Sequence, residues 1–104
     1  MVIGSRWSIT TKEKDRLISA LTPELIMLRT KAEISQEELA EMIGISRQTY
    51  GSMERRVRKM SWSTFLSLVL FYDSNQKTRQ MLRNTGEIYQ EVTSIFNQNA
   101  APED

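Results

Sequence analysis

The chain has no cysteine and no histidine among its 104 residues. Without them there can be no disulfides, no thiolate or imidazole nucleophile, no histidine acid-base chemistry and no zinc site of the usual ligands. Most enzyme designs lose their working parts here, and neither a cofactor nor a metal is expected. Proline occurs twice and glycine four times, and no segment alternates apolar and polar residues as a half-buried strand does. The longest apolar run, FLSLVLFY at 65–72, falls far short of the roughly 20 residues a membrane-spanning helix needs. The opening MVIGSRW lacks the apolar core of a signal peptide. These absences together lead to the expectation of a soluble, cytoplasmic protein with no membrane partner.

What is present is helical punctuation. A chain of this length suits one domain with a modest core. A first helix is expected over about Thr11 to Ala20, with Leu17, Ile18 and Leu21 on its apolar side. In LTPELIMLRTKAE, Thr22 is the expected N-cap, Pro23 stands where a missing N–H costs nothing, and Leu21, Leu25, Leu28 and Ala32 share one face. ISQEELAEMIG carries a capping box, Ser35 with Glu38; Leu39, Ala40, Met42 and Ile43 are expected to turn inward, and Gly44 to end the helix in the left-handed region.

Two residues later Ser46 caps another helix, so this pair must cross steeply. Ser61 caps the next, MSWSTFLSLVLFY, whose apolar positions run nearly all the way round and predict the most buried helix. Beyond Ser74 a weak helix holds Met81 and Leu82. Thr85 can cap a last helix with a stripe of Ile88, Val92, Ile95 and Phe96, and NAAPED reads as a tail. The organisation is all-α: an N-terminal extension over 1–21, a central unit over 22–73, a C-terminal helical extension over 74–99 that is a candidate for dimerisation, and a tail over 100–104.

Charge is also unevenly placed. The formal net charge is +1, yet between Gly44 and Lys59 stand Arg47, Arg55, Arg56, Arg58 and Lys59 against Glu54 alone. This is a local basic patch on a nearly neutral chain.

The segment SQEELAEMIGISRQTYGSMER, within Leu25 to Tyr72, resembles the DNA-binding domain of the lambda repressor and Cro superfamily, the XRE family of helix-turn-helix regulators. Gln36 opens the first helix of the pair, Ala40 is small where the second crosses, Gly44 sits in the turn, and Ile45, Tyr50 and Met53 are core contacts. In that family the second helix enters the major groove N-terminus first. The resemblance therefore implies Arg47 and Gln48 as base readers, Arg for guanine and Gln for adenine. Ser52, one turn on, either reaches a base edge or is simply small. It implies phosphate contacts from Gln36 and Thr49, and from Arg55, Arg58 and Lys59 in the loop that follows. It also implies a structural salt bridge between Arg29 and Glu54.

Two departures qualify the likeness. Arg56 and Met60 stand where many members carry Gly and Pro; a non-glycine residue at positive φ costs about 1–2 kcal/mol, so the recognition helix is expected to run on toward Val57. Gly51, where a larger residue is usual, costs roughly 1 kcal/mol inside a helix. It either admits close approach to the groove or marks a neutral site.

The functional expectation is a sequence-specific regulator on double-stranded DNA, a repressor acting as a homodimer on paired half-sites, in the cytoplasm of a bacterium or its phage. The alternative is an antitoxin or other protein-interaction module on the same scaffold. An enzyme is not expected. Glu37, Glu38 and Glu41 have no nucleophile or ligand set beside them, and there is no room for a self-cleaving domain.

Overall fold

A computed structural model describes residues 8–86 and 88–97. The expected tail at 100–104 lies outside the described residues. Those described form helices and turns with no strand among them.

The first helix, α1 (Thr11–Leu21), begins at a capping box: Thr10 Oγ1 accepts from the Glu13 N–H at 3.1 Å, and the Glu13 carboxylate accepts from the Thr10 N–H at 2.9 Å. Leu17, Ile18 and Leu21 are buried. The chain then does not break. A 3-10 turn over Thr22–Glu24 leads directly into α2 (Leu25–Ala32).

Thr22 is therefore not an N-cap, which corrects the sequence expectation. A cap needs extended backbone to aim its oxygen at the N–H groups ahead, whereas Thr22 has helical φ −51° and ψ −46°, and its hydroxyl donates backward to the Ile18 carbonyl at 2.8 Å.

The pair α3 (Gln36–Ile43) and α4 (Arg47–Glu54) follows, each starting at a serine cap, Ser35 and Ser46. Three successive helix ends use one device. Glu33, Gly44 and Arg56 take φ of 59°, 83° and 63°. The N–H of the next residue then reaches the carbonyl five residues back: Ile34 to Arg29 at 3.4 Å, Ile45 to Ala40 at 3.0 Å and Val57 to Ser52 at 3.0 Å. So α4 stops at Glu54 and does not run on toward Val57. Continuing the helix would carry Met60 away from the core it fills, and the two backward bonds from Arg56 and Val57 satisfy carbonyls the helix end would otherwise leave open.

The longest helix, α5 (Trp62–Ser74), buries Phe65, Leu68, Val69 and Tyr72 beside Tyr50, Met53 and the leucines of α1 to α3. Its burial is not all-round. Leu70 is 68% exposed, because α1, α3 and α6 (Arg79–Arg83) pack on the other sides. Met42 is likewise 67% exposed rather than inward. At about 100° per residue it falls outside the arc of Leu39, Ile43 and Ala40 that faces the core.

The last helix, α7 (Ile88–Phe96), packs on α6 and α1. Ile88 and Val92 are buried, Ile95 is half-buried and Phe96 is exposed, so most of the apolar stripe is used within the chain. Thr85 donates its hydroxyl to the Leu82 carbonyl at the end of α6.

Candidate nucleic-acid interface

The turn Gly44–Ile45–Ser46 sets α4 across α3 at the buried Ala40, where a larger side chain would hold the helices apart. Ser46 Oγ accepts from the Thr49 N–H at 3.0 Å and fixes the first turn of α4. Eight residues of helix then separate into two faces. Tyr50 and Met53 enter the core, while Arg47, Gln48, Gly51, Ser52 and Arg55 recur at the spacing of the opposite face.

The orientation of α4 is held by a charged centre at Glu54. Its side chain is 4% exposed and its carboxylate accepts four hydrogen bonds. Arg29 donates through Nε at 2.7 Å and Nη2 at 3.2 Å, Gln36 through Nε2 at 2.8 Å, and the Tyr50 hydroxyl at 2.7 Å. Arg29 also donates to the Ile34 carbonyl at 3.2 Å, so α2, α3 and α4 meet at one carboxylate.

Burial alone would raise the Glu54 pKa, but the bonds from Arg29, Tyr50 and Gln36, with the Arg29 charge, outweigh it and hold the group below the ordinary carboxylate value. The same bond to Glu54 raises Arg29. Burial, then the bond to Glu54, pushes the Tyr50 phenol far up. The salt bridge implied between Arg29 and Glu54 is present, with two further donors that the sequence reading did not attach to it.

The expected DNA-contacting residues separate into three groups. Arg47 and Gln48 are exposed, and neither side chain has a partner among the described residues. They line a shallow pocket of ≈ 430 Å³ together with Gln36, Gly51 and Arg55. At the start of α3 the backbone N–H groups of Gln36 and Glu37 have no intrahelical partner.

A second group is engaged at short range. Gln36 gives one amide proton to Glu54. Thr49 Oγ1 accepts from Ser46 Oγ at 2.9 Å. Ser52 donates to the Gln48 carbonyl at 3.0 Å and accepts from Arg55 at 3.3 Å.

The third group sits apart, in the loop after α4. Arg58 and Lys59, with Arg56, line a second cleft of ≈ 350 Å³ closed by Ser19 and Thr22 of the α1 end. Lys59 is ion-paired with Asp15 of α1. Sequence reasoning missed Asp15, and no sequence signal places it opposite a lysine 44 residues away.

Helices joined by a tight left-handed turn, with the second presenting an exposed polar and cationic face, define a helix-turn-helix module. Residues 25–69, spanning α2 to most of α5, match the family described as helix-turn-helix. The chain thus carries a DNA-binding helix-turn-helix domain of the lambda repressor-like, XRE kind, a family of regulators. No curated protein and no solved structure matched it. Among the described residues no helix is long and apolar enough to cross a membrane.

Proposed function

We propose that this protein is a sequence-specific double-stranded DNA-binding regulator of transcription, acting as a cytoplasmic homodimeric repressor that reads the major groove with α4. One observation carries the reading: Arg47 and Gln48 stand on the first turn of α4, exposed and without protein partners, beside the open N–H groups of α3. Arg47 is suited to a guanine edge and Gln48 to an adenine edge, with Ser52 as the next position along the face. Gln36 and Thr49 supply hydrogen bonds, and Arg55, Arg58 and Lys59 supply charge, toward phosphates. Pairing through the exposed Phe96 end of α7 or the outer face of α5 would set two recognition helices about 34 Å apart on one side of a duplex.

The test is selection of bound sites from a random duplex pool, followed by affinity measurements at rising salt. Three phosphate contacts per protomer give a slope near −2.7, or about 40-fold loss of affinity between ~50 and ~200 mM salt. No enrichment, with an affinity nearly flat in salt, would reject DNA and favour a protein-interaction module on this scaffold.

A further inference from the structure

Gly51 lies inside α4, where glycine is the poorest helix former apart from proline. Its backbone does not require glycine, since the positive-φ glycines are Gly44 and Gly86. The reason must then lie in the space above its Cα. A Cβ built there would stand 3.2 Å from Arg55 Nη1 and 3.6 Å from Gln36 Oε1. That space is occupied by the guanidinium of the residue one helical turn on.

Arg55 is held from a second side. Its Nη2 donates to Ser52 Oγ at 3.3 Å, and Ser52 is itself anchored on the Gln48 carbonyl at 3.0 Å. The guanidinium consequently lies back along the exposed face of α4, in the pocket it shares with Gln36, Arg47 and Gln48. It does not project with Arg58 and Lys59 into the loop cleft, where Arg56 takes the corresponding place.

We propose that Gly51 is a positioning residue: it forms a seat that holds the Arg55 guanidinium on the reading face beside Arg47, so that two guanidinium groups meet the same stretch of DNA. The inference rests on the DNA-binding reading above. A seated guanidinium offers N–H donors to an oxygen acceptor, either a phosphate oxygen or the edge of a guanine.

The test is a double-mutant cycle in the full chain, with wild type, Gly51→Ala, Arg55→Ala and the double variant measured on a duplex recovered by selection and on single-base variants of it. Gly51→Ala melts no lower than wild type, because alanine favours the helix and the crowded atom is the end of a flexible side chain. It binds roughly three- to tenfold more weakly, as expected for a misplaced charge-assisted contact. In the Arg55→Ala background the same change costs nothing further.

A loss confined to one base pair assigns the acceptor to a base edge, and a uniform loss assigns it to phosphate; both support the seat. Equal losses in both backgrounds would overturn it and leave direct approach of DNA to the bare backbone. So would no loss at all, or a lowered melting temperature. Failure of the wild type to bind any duplex would overturn the DNA reading itself, whereas wild-type binding with additive losses rejects the seat alone.

Discussion

Replacing Arg29 with methionine isolates the charged centre that holds α4. Methionine keeps much of the aliphatic stem and removes two bonds to Glu54, at 2.7 and 3.2 Å, and one to the Ile34 carbonyl at 3.2 Å. What remains is a carboxylate whose side chain is 4% exposed and which keeps only the Gln36 and Tyr50 donors. Removing one partner of a buried ion pair costs about 3–5 kcal/mol. Arg29 is itself 20% exposed and two donors survive, so the low end, about 3 kcal/mol, is expected. At roughly 4–8 °C per kcal/mol this lowers the melting temperature by about 12–24 °C.

The pH dependence separates charge from packing. In the wild type the folded pKa of Glu54 lies below its unfolded value. Its contribution is therefore present above about pH 4.3, the ordinary glutamate value, and is lost as pH falls through the lower folded value. In Arg29→Met the strongest opposing hydrogen bond is gone and burial acts with less resistance, so the folded pKa rises. The penalty of the substitution must then be largest near neutrality and shrink below about pH 4.5. Urea unfolding followed by circular dichroism at neutral and acid pH measures both. A penalty under about 1 kcal/mol at pH 7, or one unchanged at pH 3.5, would refute the electrostatic account and leave ordinary packing.

Arg47→Ala should fold with an unchanged melting temperature and lose about 1–3 kcal/mol of discrimination at one base position; an unaltered base preference in repeated site selection would reject Arg47 as a reader. Asp15→Asn frees Lys59 from its ion pair and should tighten binding to all sequences a few-fold at low salt while changing stability by less than about 1 kcal/mol. Lys59→Ala should weaken binding to all sequences alike and reduce the salt slope by about 1. Arg56→Gly relieves a side chain held at φ 63° and should raise unfolding free energy by about 1 kcal/mol; no gain in urea midpoint would show that the left-handed turn carries no strain.

Local chemistry made most of the fold legible. Ser35, Ser46 and Ser61 cap helices as their side chains suggest, because a cap depends on atoms within three residues. Thr22 has the same cap chemistry and fails, since packing of Leu17, Leu21 and Leu25 in one core keeps the backbone helical through it. Arg56 shows the same limit from the other side. Local strain argues against positive φ, yet burial of Met60 and the backward bonds from Arg56 and Val57 decide the turn. The face of Arg47 and Gln48 follows from helical spacing alone. The pairing of Lys59 with Asp15, and of Gln36 with Glu54, depends on tertiary placement that no spacing encodes.

Those pairings determine what each side chain can still give to DNA. The ion pair of Lys59 with Asp15 is exposed on both sides and is worth about 0–1 kcal/mol, so a phosphate can take the lysine at little cost. The bond from Gln36 to Glu54 is half-buried and ends on a charge, where about 1.5–3 kcal/mol is at stake. Gln36 must keep it, which leaves its second amide proton and the N–H groups at the start of α3 for a phosphate. The same bond ties the helix across the backbone to the carboxylate orienting the reading helix. Contact at α3 and alignment of α4 are thereby mechanically one event, and a Gln36→Ala change should weaken binding to all sequences and also blur discrimination at the Arg47 position, which loss of a simple phosphate contact would leave intact.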